Sequence, residues 1–317
     1  MILGSYIFKC RLKNAALLPR YKGSTFRGLF GHALKKVTCT LKFKNCTNCL
    51  LIDRCVYARI FEKNLLSTAN SKPKRVSAPP HPYVIEPPLT TRTNFQSGEI
   101  FDFSIILMGN ANYELPYIIY AIKYMGDLGI GKKQDGKRAR FNLEEISSKG
   151  QIVYDAETDQ LTPPEVDELK SQDAPDMQSP VTKLKICFDT PVRLKFRNSF
   201  SNELPFHILV RAGLRRISSL EEYYGNGEPD LNYRELISKS QEVEISASGL
   251  QWSDWKRYSA RQDQKMFLGG LKGSVTYSGD LTQFMGILRY CEKVHIGKQT
   301  SFGLGKFRIL SVKGLEE

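Results

Sequence analysis

The sequence predicts an α+β chain of two tandem ferredoxin-like halves (βαββαβ, the RRM-like arrangement) with a glycine-rich loop near the C-terminus. Three observations carry this. The chain has 317 residues, room for about two domains at roughly 150 residues each. The order strand, helix, strand, strand, helix, strand reads twice along it. In both halves the second helix runs into a glycine-rich turn and then the last strand: MGDLGIGKKQDGKRARF from Met125 to Phe141, and HIGKQTSFGLGKF from His295 to Phe307. Fold duplication explains that pairing more simply than chance. Strands alternating with helices exclude an all-α bundle and an all-β sandwich.

The elements follow in order. Gly4–Leu12 alternates apolar and polar residues and reads as a strand. Ser24–Thr38 has helical spacing. Tyr83–Leu89 and Ile100–Met108 are strands, Leu115–Met125 is a helix and Arg138–Ile146 a strand. Asp155–Asp176 then carries eight acidic residues and one lysine, a net of −7, with prolines and little hydrophobicity, which marks a loop or linker. The domains are therefore expected at 1–154 and 181–317, with an acidic linker at 155–180. In the second half Thr182–Asp189 is a strand and Leu204–Tyr224 a helix. Leu250–Tyr258 and Met266–Tyr277 are strand-like, Leu281–Cys291 is helical and Phe302–Val312 is a strand.

Lys plus Arg number 46 against 33 Asp plus Glu, a formal charge of +13. The acidic segment conceals +20 on the remainder. An excess of this size points to a polyanionic partner, nucleic acid or an anionic membrane. A membrane partner is not expected, because no run of eighteen apolar residues exists. The start, MILGSYIFKCRLKN, has no secretory pattern. Seven cysteines, an odd count without an export signal, point to a reducing compartment, so a cytoplasmic location is expected.

Both glycine loops have phosphate-binding chemistry. In the second, Gly297, Gly303 and Gly305 are interleaved with Lys298, Gln299, Thr300, Ser301 and Lys306. Glycine lets backbone N–H groups approach an anion, and the side chains add charge and donors. Neither a P-loop nor a Rossmann spacing is present. The alternative is a tight turn needing glycine for steric reasons alone. The first loop carries Lys132, Lys133, Lys137, Arg138 and Arg140.

The segment Thr25–Val37 places Phe26, Phe30, Ala33, Leu34 and Val37 on one stripe. His32 lies about 200° around from Phe30 at 3.6 residues per turn, on the side of Thr25, Gly28, Lys35 and Lys36. The expectation is a histidine off the core face, among cations. Gly28 and Gly31 each cost up to ~1 kcal/mol relative to Ala, a cost that often marks close approach by another backbone. RNA cleavage without a metal needs a base for a 2′-hydroxyl and an acid for the leaving 5′-oxygen, and histidine serves either role near neutral pH. An ordinary surface histidine is the competing reading. His295, at the mouth of the second glycine loop, is the other catalytic candidate. His81 and His207 read as structural.

Cys39, Cys46, Cys49 and Cys55 form a C-x6-C-x2-C-x5-C cluster. Four thiolates suit a closed, structural zinc site; free thiols and disulfides are the alternatives. Cys10, Cys187 and Cys291 read as core residues. In Trp252–Lys265, Arg257, Tyr258, Arg261, Gln262 and Lys265 mix cations, an aromatic and an amide, suited to phosphate contact and base stacking, or else to a strand edge and charged turn.

Several segments together resemble the CRISPR-associated, repeat-cleaving endoribonucleases of the RAMP (repeat-associated mysterious protein) superfamily. They are FRGLFGHAL (Phe26–Leu34), CTNC (Cys46–Cys49), HPYVIEPP (His81–Pro88), GDLGIGKK (Gly126–Lys133), DWKRYSARQDQKMFLGGLKG (Asp254–Gly273) and HIGKQTSFGLGKF, spread along the chain in the family's order. The resemblance implies two ferredoxin-like domains, recognition of the CRISPR repeat in a precursor transcript, and cleavage to 2′,3′-cyclic phosphate and 5′-hydroxyl ends with no cofactor for catalysis. A catalytic histidine on or near the first helix maps onto His32. The tyrosine–histidine–lysine set of some members is not evident, since Gly31 precedes His32; Lys298 and His295 are the candidates for a second catalytic group. The alternative implied by the same resemblance is a non-catalytic RNA-binding subunit of a CRISPR interference complex. A general basic RNA-binding protein outside CRISPR biology is a third reading.

Overall fold

The computed structural model describes residues 1–41, 46–62, 79–170, 179–194, 203–254, 256–259 and 264–314, with backbone only at 256–259 and 264–267. The chain forms two compact units, Met1–Glu168 with Tyr223–Gly225, and Leu169–Glu222 with Asn226–Glu317. No described helix is long and apolar enough to cross a membrane.

The first unit runs β1 (Ile2–Leu12), β2 (Ala16–Leu17), α1 (Gly23–Thr38), α2 (Val56–Phe61), β3 (Tyr83–Glu86), β4 (Asn94–Phe95), β5 (Ile100–Met108) and α3 (Leu115–Leu128). It continues through β6 (Ile130–Gln134), β7 (Lys137–Ala139), β8 (Phe141–Ser148), β9 (Gln151–Asp155), β10 (Gln160–Leu161) and β11 (Asp167–Glu168). The sheet order is β10-β9-β8-β1-β5-β3, with β11 also pairing with β1. β1 lies between β5 and β8, antiparallel to both. The six elements β1, α1, β3, β5, α3 and β8 are the ferredoxin-like set, in the order read from the sequence. Period-two alternation places Tyr6, Phe8, Cys10 and Leu12 in the core, while Ser5 and Arg11 face outward.

The second unit runs β12 (Val181–Val192), α4 (Phe206–Tyr224), α5 (Tyr233–Lys239), β13 (Glu244–Ser248), β14 (Gln251–Ser253), β15 (Lys256–Ser259), β16 (Gln264–Phe267), β17 (Gly270–Ser278), α6 (Met285–Val294) and β18 (Phe307–Gly314). Its sheet, β13-β17-β12-β18, repeats the same topology. Leu184, Ile186 and Phe188 fill its core from β12, and Phe206 packs on Tyr277 and Phe284 with ring centroids 4.9 and 5.0 Å apart.

Four expectations change. The last strand of the first half is not Arg138–Ile146. Lys137–Ala139 belongs to a separate hairpin with β6, turned by Asp135 and Gly136 at φ of 48° and 78°, the Asp-Gly signature of a tight hairpin turn, and β8 starts at Phe141. The acidic segment is not free over its described part. β10 and β11 pair with β9 and β1, while Asp159 and Asp167 accept Lys123 and Lys149 at 2.9 and 2.7 Å. The second strand of the second half is split. Glu244–Ser248 and Gln251–Ser253 both pair along β17, and Lys256–Ser259 forms a hairpin with β16. Val37 is 37% exposed, because the last turn of α1 runs past the aromatic cluster that covers Phe26 and Phe30.

The two helix glycines of α1 have opposite surroundings. A Cβ on Gly31 would run into the ring of Phe61, so the close neighbour is an aromatic side chain and not another backbone. A Cβ on Gly28 meets nothing within 4 Å. Gly31→Ala is therefore expected to destabilise the chain by roughly 1–3 kcal/mol through overpacking. Gly28→Ala is expected to stabilise it by up to ~1 kcal/mol through helix propensity. Chemical denaturation of the two variants checks the opposite signs.

Candidate nucleic-acid interface

The core of the first unit sets the rotation of α1. Phe26 packs against Phe101 and Phe103 at 6.1 and 5.0 Å between centroids, and Phe30 against Phe61 and Tyr83 at 5.9 and 5.6 Å. Lys22, just before the helix, is fully buried and donates to the carbonyls of Thr90, Arg92 and Arg20 at 2.6, 2.9 and 3.3 Å. With Phe26, Phe30, Ala33 and Leu34 inside, His32 and Lys36 are exposed and Gly28, one turn earlier, leaves open space. Lys35 is half-buried, its ammonium 5.5 Å from the centroid of Tyr57. No acidic residue stands in the first turn, and Lys35 and Lys36 stand in the last. This is a cationic helix face bearing one imidazole. Such a face can hold a phosphodiester while the imidazole moves a proton.

His295 occupies a different environment. It ends α6 at φ 59°, is fully buried, and its Nδ1–H donates to Leu304 O at 3.1 Å. The expected place at the loop mouth is corrected. The left-handed backbone at 295 turns the imidazole inward, and a loop carbonyl satisfies it. Half-buried Arg216 donates to Val294 O at 2.9 Å beside it, and desolvation pulls that guanidinium down to about 10.

The second glycine loop folds on its own unit. Gly297, Gly303 and Gly305 have φ of 88°, 82° and 72°. A Cβ on Gly305 would collide with Ile296 O, and one on Gly297 would lie 3.0 Å from Arg193 O. Gly305 N–H donates to Pro191 O at 3.0 Å, Lys306 N–H to Thr190 Oγ1 at 2.9 Å, and Thr190 Oγ1–H to Gly303 O at 2.8 Å. Thr300 and Ser301 are buried, Gln299 is half-buried at φ 64°, Lys306 is half-buried and Lys298 is exposed. The glycines thus serve the chain's own close contacts, the steric reading, and Lys298 is the cation the loop presents outward.

The first glycine segment is a hairpin. Lys132, Lys133, Lys137, Arg138 and Arg140 are all exposed on β6, β7 and the residues beside them. Arg257 and Tyr258 lie in β15, and Arg261 and Gln262 lie outside the described residues. His81 is held at both ring nitrogens: Nδ1–H donates to Ile60 O and Nε2 accepts from Arg27, each at 3.2 Å.

Cys39 ends α1, Cys46 and Cys49 share a turn (Cys49 N–H to Cys46 O, 3.2 Å), and Cys55 precedes α2. Cys46 and Cys55 pack on the core, and all four are free thiols. Among the described residues no three His, Cys, Asp or Glu side chains come together to hold a metal ion.

One feature was missed in the sequence. Tyr113, Tyr117, Tyr120 and Tyr124 recur at spacings of four, three and four, which places them on one side of α3 and the turn before it. The spacing was available; the segment reads first as a core helix because Ile118, Ile119 and Ile122 dominate it.

Each of the two units is ferredoxin-like, with a glycine-rich joint before its last strand. Residues 1–166 match the family model AF_1859_N, N-terminal domain, and residues 186–307 match that of the CRISPR-associated endoribonuclease Cas6. The chain belongs to the AF_1859_N family, and its second half is similar to the Cas6 endoribonuclease model. An uncharacterized protein of Archaeoglobus fulgidus is 27% identical over 303 residues, 93% of each chain. The fold is similar to that of a Cas6 product complex (TM-score 0.52, 14% identity, 98% of this chain and 100% of that one). It is also similar to Thermus thermophilus Cas6 (TM-score 0.52, 11% identity, 98% of each). A partial Cas6-RT-Cas1–Cas2 complex matches with TM-score 0.59 at 14% identity over the whole of this chain, which spans 47% of that one.

Two loop substitutions separate scaffold from surface. Gly305→Ala is expected to destabilise the chain by roughly 1–3 kcal/mol through backbone strain and the collision with Ile296. Lys298→Ala is expected to leave the melting temperature unchanged, weaken RNA binding, and reduce the slope of log affinity against log salt by about 1. Melting curves and a salt titration of RNA binding measure both.

Proposed function

We propose that this chain is an endoribonuclease that cuts the repeat in a CRISPR precursor transcript, with His32 as a proton-transferring catalytic residue. The observation that carries this reading is the position of His32. Among the described residues it is the one exposed histidine, on an α1 face with Lys36 and the open space over Gly28. The Cas6 family match over 186–307 supports the substrate class.

In the proposed reaction a base takes the proton of a 2′-hydroxyl. The 2′-oxygen forms a bond to the adjacent phosphorus, the bond from phosphorus to the 5′-oxygen breaks, and that oxygen takes a proton from an acid. The products are a 2′,3′-cyclic phosphate and a 5′-hydroxyl. His32 fills one of these proton-transfer roles, and Lys35 and Lys36 offset the charge that builds on the phosphorane. Lys298 and the exposed cations of the β6–β7 hairpin act as phosphate contacts. The step invokes no metal.

A second reading, a non-catalytic RNA-binding subunit of a CRISPR interference complex, is favoured by the burial of His295, which leaves a single exposed imidazole. Cleavage of the repeat from the same genome distinguishes the two. The purified full chain is expected to cut it at one position in the presence of EDTA, and a 2′-deoxy nucleotide at the cut should block the reaction. His32→Ala is expected to slow cleavage by ~10²–10⁴-fold with RNA affinity retained. Full activity in His32→Ala removes His32 from the mechanism, and tight binding without cleavage selects the second reading.

A further inference from the structure

The outer face of α3 has no role in the reading above. Tyr113, Tyr117 and Tyr120 are 71%, 46% and 56% exposed, Tyr124 is half-buried, and Pro116 is exposed between them. On the opposite side Leu115, Ile118, Ile119, Ala121, Ile122 and Met125 are buried. An outward helix face ordinarily carries charged residues; this one carries a ladder of tyrosines at coiled-coil seam spacing, the pattern that receives a facing helix.

Charge identifies the occupant. The cations beside the ladder are in ion pairs, Lys123 with Asp159 at 2.9 Å and Arg59 with Glu114. Lys123 also lies 5.7 Å from the Tyr120 centroid. RNA stacked on aromatic side chains needs a cationic track for its phosphates, and these paired groups do not form one. On a chain of net charge +13, this is a locally neutral aromatic face, where another copy of the same cationic chain can approach with least repulsion.

We infer that the ladder is a docking face for a second copy of this chain, α3 against α3 about a twofold axis. The contact is self-complementary, as a twofold interface must be. Antiparallel helices set their dipoles in opposition, which is favourable. With Tyr120 on the axis, Tyr117 comes opposite the 123–124 step and Tyr113 opposite Asp127. Asp127 is exposed, so each Tyr113 hydroxyl can donate to an Asp127 carboxylate of the other copy, twice by symmetry. Tyrosine is among the residues enriched in interfaces. The exposed surface of the three outer tyrosines is on the order of 400 Å², about half of one side of a standard interface at roughly 800 Å² per partner. Pro116, Tyr124 and Asp127 extend it.

Sedimentation velocity on the full chain without RNA tests this. The wild-type chain is expected to shift with concentration from 36.1 kDa to twice that mass. Tyr117→Glu with Tyr120→Glu is expected to weaken self-association roughly 10²-fold, with melting temperature and RNA affinity unchanged. Tyr120→Cys is expected to give a covalent dimer on mild oxidation, above any background from the native thiols, and this arm decides the matter if the double variant folds poorly. A monomer at every concentration overturns the inference, as does a double variant that still dimerises or a Tyr120→Cys chain that does not cross-link. Loss of RNA affinity with no change in mass also overturns it and assigns the ladder to RNA.

Discussion

The aromatic cluster under α1 is the constraint on which the candidate site depends. Phe26 and Phe30 are committed to Phe101, Phe103, Phe61 and Tyr83. Edge-on and offset ring pairs of this kind contribute about 0.5–1.5 kcal/mol each beyond the area they bury. Once those two rings face the sheet, helical geometry fixes every other side chain of α1, and residue 32 must point away. Gly31 belongs to the same device: its missing side chain admits Phe61, which stacks on Tyr83 and Tyr57 at 5.5 and 5.6 Å. The exposed imidazole is thus a consequence of core packing several residues away, and a change in that packing would rotate it before any change in its own chemistry.

The second unit solves a different problem with similar residues. Its loop is rich in glycine because the chain must pass tightly against Ile296, Pro191 and Arg193, and its hydroxyls and amides are largely used internally. The cation it presents outward, Lys298, stands on a turn held by these internal hydrogen bonds. Long-range attraction for a polyanion and a fixed point of contact can therefore coexist without a preformed anion pocket. In the first unit the β6–β7 hairpin holds four exposed cations on two short strands, with Arg140 just beyond them.

The order of elements and the buried face of α1 were legible in the sequence, because apolar periodicity reports burial directly. The strand Ile100–Met108 matches residue for residue. What escaped was set by tertiary contacts. Glu244–Ser248 is a polar edge strand whose pairing comes from β17, so its own residues carry little strand signal. His295 is polar and sits in a glycine-rich stretch, which suggests exposure; a φ of 59° and the Leu304 carbonyl bury it. The acidic segment looks unstructured by composition, yet in its described part Asp159 and Asp167 are held by Lys123 and Lys149. The four cysteines are carried by different local elements, the end of α1, the turn at Cys46–Cys49 and the residue before α2, because spacing alone does not fix where a turn between helices carries each thiol.

In the proposed reaction RNA is cut on the cationic outer face of α1. A structure of the full chain bound to its repeat, with a 2′-deoxy nucleotide at the cut to prevent reaction, tests it most directly. The scissile phosphate, or the oxygens on either side of it, is expected within roughly 3 Å of the His32 imidazole, with Lys36 beside the same phosphate. A scissile phosphate bound away from α1, with His32 facing solvent, would contradict it.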